Sequence, residues 1–252
     1  MVSDDPKRPH AEPSEKSLQT ARKIVEEHVD RQIDSIVGEI ATADALDVSG
    51  LETFYVSLAS ESDRGLGIVL FAYVDDVLKG IYSKTLNSKV DGGLDTLLGI
   101  AGPLSSAGLR IQMAFALNWI QERTYRSLRL MQRIRNALAH KVTASGFDDS
   151  QIGALASGMW PAEEALYNSA LSKPAIPRDQ LTKRQLFHVR SIFSCSSLII
   201  EMTSAPLSIR RGLPPTAPIS RDFEKWSPLH QTAFLAAINA SEVVLRKSAE
   251  GA

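Results

Sequence analysis

Residues 121–140, QERTYRSLRLMQRIRNALAH, fit one helix and little else. At 100° per residue Leu128, Met131, Ile134 and Leu138 share one face. Arg126, Arg129 and Arg133 take the opposite face, with His140 beside them, and read as a solvated surface or as one for nucleic acid or an acidic partner. Arg135 falls inside the apolar face, between the directions of Leu128 and Met131. A guanidinium cannot lose its charge, so in a dry site it must be paired. The alternative is a stem that packs while the head reaches water.

A carboxylate with the complementary problem stands in 61–86. On that helix Asp63 points with Leu70, Val74, Val77 and Ile81, the middle of a broad apolar face. Asp63 and Arg135 are therefore expected to meet. Glu61, Arg64 and Asp75 lie to the side of that face and should be wetter.

The remaining chain reads as helix and connection. A polar tail over 1–13, with three prolines, should be disordered. From 14 to about 46 Leu18, Val25, Val29, Ile33, Ile36 and Ile40 form one narrow stripe, opposite Lys23, Glu27, Asp30 and Asp34. Such a helix either packs along a bundle or pairs with a copy of itself. A short helix is expected around Phe54–Leu58, then the helix over 61–86 and a Gly- and Asp-rich connector over 87–102. The next helix should begin near Pro103 and run to about Trp119, with Leu109, Met113, Ala116 and Leu117 inward. Further helices are expected over 149–171, 178–205 and 227–247, with a Pro-rich extended loop over 204–220. No segment alternates with period two for long, so the expected class is all-α.

Composition narrows the function. At 44% apolar and 23% charged residues the chain is ordinary for a globular protein. No run approaches the roughly 18 apolar residues of a membrane span. The first residues lack the apolar core of a signal peptide, so a cytoplasmic location and no membrane contact are expected. One cysteine, Cys195, rules out an intrachain disulfide and a cysteine-based zinc site, and no cofactor or metal is expected. Residues 1–62 carry 6 basic and 13 acidic side chains, and residues 173–252 carry 11 and 6. The two ends can attract each other within or between chains. No recognition helix, phosphate-binding Gly loop or dinucleotide fingerprint stands out.

Four blocks, in order and at matching spacing, resemble the bacterial MtlR (mannitol operon repressor) family: ESDRGLGIVLFAYVDDVL (61–78), GPLSSAGLRIQMAFALNWI (102–120), YRSLRLMQRIRNALAH (125–140) and GFDD (146–149). The resemblance implies a multi-helix bundle, expected as a core over 51–172; the long helix (14–50) before it and the Pro-rich 204–220 loop of the helical extension after it (173–252) stand outside that family core. It implies a repressor-type regulator that works through protein–protein contacts, with a protein partner and a homodimer expected.

The segment RNALAH also resembles the R-x4-H motif of HEPN domains, many of which are metal-independent ribonucleases. That resemblance makes Arg135, Asn136 and His140 candidate catalytic residues, supported by Asp63, Arg64 and Glu61. RNA is then the possible ligand. His140 suits general acid–base work near neutral pH, and Arg135 suits charge on a phosphorane. On an unbroken helix, however, the two side chains leave about 140° apart. They converge only if the helix ends before His140 or if a dimer assembles the site.

Overall fold

A computed structural model describes residues 51–140, 146–169, 172–210 and 228–250, with isolated positions beside them. The tail over 1–13, the long helix over 14–46 and the Pro-rich stretch beyond Arg210 lie outside the described residues. Among the described residues the fold is all-α, with no strand.

Helix α1 (Leu51–Ser57) and one 3-10 turn lead into α2 (Asp63–Thr85). The Ser62 hydroxyl caps α2 by accepting the Gly65 N–H at 3.0 Å, and Asp63 places a negative charge in the first turn, where the helix dipole favours it. Leu66, Leu70, Val74, Leu78 and Tyr82 are fully buried on α2, with Phe71, Val77 and Ile81 beside them. So wide an apolar face needs neighbours on several sides. Helices α5 (Glu122–His140), α4 (Ala107–Ala116) and α8 (Lys183–Arg210) supply them.

The connector after α2 turns at Gly92 and Gly93, both at φ near +75°, and holds a single helical turn, α3 (Asp95–Leu98). Helix α4 starts at Ala107 and not at Pro103, because the Ser106 hydroxyl accepts the Leu109 N–H and fixes the cap there. It ends with Asn118 at φ 55°, the left-handed position that asparagine tolerates best after glycine.

The helix expected over 149–171 is two helices, α6 (Ser150–Ser157) and α7 (Glu163–Asn168). Gly158 and Pro161 break it, and Pro161 contributes no backbone donor. Helix α8 runs past Pro206 to Arg210, so the first part of the supposed extended loop is helical. A proline withdraws one backbone donor, and the surrounding hydrogen bonds continue.

Helix α8 packs against α2, α5 and α6 on one side and α9 (Pro228–Glu250) on the other, and α9 also covers α1. Phe187, Val189, Ile192, Leu198 and Ile199 of α8 belong to the same apolar core as α2 and α5. No described helix is long and apolar enough to cross a membrane.

Candidate functional site

The second half of α5 lines a cavity of about 320 Å³ between α2 and the start of α4. Gln132, Arg135 and Asn136 of α5 face Phe71 and Asp75 of α2 and Ser106 of the α4 cap across it. Arg135 is half-buried, and its Nη1 donates to Asn136 Oδ1 at 3.0 Å. It lines the cavity and makes no ion pair among the described residues. Asn136 and His140 are exposed, and α5 continues unbroken through His140. The expected pair with Asp63 is not formed.

Asp63 is held elsewhere. Its Oδ1 pairs with Arg184 Nη1 at 2.5 Å, and its Oδ2 accepts the Phe147 N–H at 2.8 Å. Arg184 Nη2 also donates to the Ala59 and Glu61 carbonyls. One carboxylate thus ties the start of α2 to the 3-10 turn Gly146–Asp148 and to the start of α8. Gly146 is required there. It sits at φ 74°, and a Cβ at that position would stand 1.9 Å from Asp63 Oδ2. Glu61 and Arg64 are exposed, Glu61 serving the node through its backbone. The six candidate residues therefore separate into a structural node around Asp63 and a cavity-lining pair, Arg135 and Asn136, with His140 on another face.

Two further arginines are the interior cations that Arg135 was expected to be. Arg110 is 2% exposed, pairs with Asp75 and donates to the Leu104 carbonyl at 2.5 Å. Arg190 is buried against Glu163. The signal for Arg110 was present: it is the sole charge in 96–121. A lone charge in so apolar a run has to be partnered if it turns inward.

That inward turn reverses the face of α4. Ala107, Gly108, Arg110, Ile111 and Ala114 are buried, while Leu109, Met113 and Leu117 are 43%, 40% and 40% exposed and Ala116 is exposed too. The cause is close packing. A Cβ on Gly108 would meet Gln132 at 2.7 Å, and Phe115 stacks on Tyr125 at 4.3 Å. At Gly108 the two helices approach too closely for a side chain. Ile100, before α4, is fully exposed.

The family model described as MtlR, mannitol repressor, matches residues 68–203, more than half of the chain. The chain belongs to the MtlR family. No curated protein and no solved structure matches it. The MtlR match contains the cavity, all of α4 and α5, and α8 as far as Thr203. Helix α8, assigned from the sequence to an extension, lies both within the MtlR match and at the centre of the core. Among the described residues no three His, Cys, Asp or Glu side chains converge to hold a metal ion. Burial pushes the Cys195 thiol up to about 12, so this cysteine carries no thiolate near neutral pH.

Proposed function

We propose that this MtlR-family chain is a repressor-type regulator that acts by gripping another protein, not by reading bases. The observation that carries this reading is the outer face of α4. Residues 96–121 hold one charge, Arg110, and it is buried, so the surface they present through Ile100, Leu109, Met113 and Leu117 has no exposed charge. Apolar groups gathered this way, with the polar Arg135–Asn136 cavity at the start of the same helix, have the make-up of a protein-binding patch and its rim. A base-reading helix needs the reverse, a row of long polar and cationic side chains free to enter a groove. The arginines of α5 are partly engaged within the chain, Arg126 with Glu122 at 2.5 Å and Arg129 with Gln132 at 2.9 Å.

The test compares DNA occupancy in cells with DNA selection by the isolated protein. Cross-linked in cells, the chain is expected at a small set of promoters. Purified and mixed with fragmented genomic DNA near physiological salt, it is expected to select none of them. Absence from promoters in cells would overturn the regulator reading, and selection by the pure protein would overturn the partner-mediated one. Metal-free RNA cleavage that His140→Ala abolishes would move the assignment to a nuclease.

A further inference from the structure

A second cavity, of about 330 Å³, lies between the middle of α8, the first turn of α5 and the start of α9. Phe193 and Ile200 of α8, Phe234 of α9 and Trp226 give it an apolar wall, and the Trp226 and Phe234 rings meet edge to face at 5.3 Å. Two opposite charges line the same space. Glu201 is buried. Arg123 is exposed, at the mouth.

Both charges are held in place by contacts that leave capacity for a ligand. Each Glu201 oxygen accepts one hydrogen bond at 2.9 Å, from the Gln121 N–H and the Thr124 hydroxyl. A carboxylate accepts about four, so acceptor sites remain. The Arg123 guanidinium carbon lies over the Trp160 ring, 4.5 Å from its centroid, a contact that consumes none of the five N–H donors. The N-terminus of α5 lies against Glu201, which accepts the Gln121 N–H and the Thr124 hydroxyl.

We infer that this cavity binds a small zwitterion of the amino-acid type, its ammonium on Glu201, its carboxylate on Arg123 and an apolar side chain against Phe193, Phe234 and Trp226. The charge arrangement selects this class. A simple amine leaves Arg123 unmatched, a simple acid brings a second negative charge to buried Glu201, and an uncharged molecule uses neither group. Burial raises the Glu201 carboxyl above its usual range although its two hydrogen bonds and the Arg123 charge oppose the shift, and an ammonium seated on it would add to those opposing contacts. The volume is in the range of small-ligand sites.

Thermal unfolding of the purified full chain tests this with L-leucine, L-methionine and L-phenylalanine at about 10 mM, against phenylethylamine and hydrocinnamate as half-ligands. At least one amino acid is expected to raise Tm. The half-ligands should bind at least about ten-fold more weakly, as expected when a charge-assisted contact is missing. Arg123 is exposed, so Arg123→Gln should melt like the wild type when free and lose about ten-fold or more in affinity. No response to any of the three amino acids, an equal response to a half-ligand, or unchanged binding by Arg123→Gln would each overturn the inference. The readout uses the pure protein alone, so its failure leaves the partner-contact reading untouched.

Discussion

Arg190→Ala is expected to lower the unfolding free energy by about 3–5 kcal/mol, the range for removing one partner of a buried ion pair. Arg190 Nε and Nη2 grip the two Glu163 oxygens at 2.8 and 2.7 Å. Nη1 donates to the Ala156, Ser157 and Met159 carbonyls at 3.1, 2.9 and 3.3 Å, closing the end of α6. Truncation therefore leaves a carboxylate that is 2% exposed with only the longer Arg178 contact, at 3.5 Å, and uncaps a helix in one step. Burial alone would push the Glu163 carboxyl up. The hydrogen bonds from Arg190, a backbone hydrogen bond and the charges of Arg190 and Arg178 together outweigh it and hold the group below the usual range. Arg190→Lys keeps the charge but cannot grip two oxygens and three carbonyls together, so it should recover only part of the loss. Urea unfolding at neutral pH checks both variants through the midpoint at constant slope. A shift of less than about 1 kcal/mol for Arg190→Ala would show that the pair and cap contribute no more than a surface contact.

The second large effect is acid sensitivity well above the usual carboxylate range. His188 is 2% exposed, and burial, with the Arg184 cation adding to it, lowers its pKa to about 4 against an opposing hydrogen bond to the Tyr55 backbone. Burial lowers His230, whose Nε2 lies 2.8 Å from the Thr203 hydroxyl, to about 4 as well. Both folded-state values are depressed, so the sign is fixed. Well above pH 6.5 neither state binds the proton and stability is full. As pH falls from about 6.5 to about 4 the unfolded chain takes up protons that the folded chain refuses, and stability drops. Each histidine can remove on the order of 3 kcal/mol across that window. Glu201, with its raised pKa, works in the opposite direction, favouring the folded state as it gains a proton, and offsets part of the loss. Denaturant unfolding at pH 7.5, 6 and 5 should show a steady decline. His188→Leu should flatten it by about half. Equal stability at all three values, or an unchanged slope in His188→Leu, would contradict the assignment.

Helix periodicity made the all-α class and the place of α2, α5 and α9 legible, because each has an apolar pattern with one face to bury. It failed where two faces were eligible. Helix α4 carries Leu109, Met113 and Leu117 on one side and Ala107, Gly108, Ile111 and Ala114 on the other. The close approach of α5 at Gly108 bears on the choice between them, and that is a property of the neighbour. The rule that an interior arginine needs a carboxylate was sound, but a wheel of one helix cannot say which arginine goes inward. Arg110, Arg184 and Arg190 found the acids, and Arg135 kept to a cavity edge. The Asp63–Gly146–Arg184 node joins two of the most recognisable sequence blocks, yet the steric demand on Gly146 arises only once Asp63 lies against it. The Glu201–Arg123 cavity left no local trace, since its residues come from segments about 80 positions apart and meet only in the fold.

The measurement closest to the central claim is a transcript profile of cells carrying the wild-type chain, Met113→Asp, or no copy of the gene. Met113 lies on the exposed face of α4, so the substitution should leave unfolding within about 0.5 kcal/mol of the wild type. It places a charge in the middle of the charge-free patch, where a docked partner would have to bury it. Met113→Asp is expected to derepress the same genes as the deletion. A Met113→Asp profile that matches the wild type would contradict it and remove the α4 face from the mechanism.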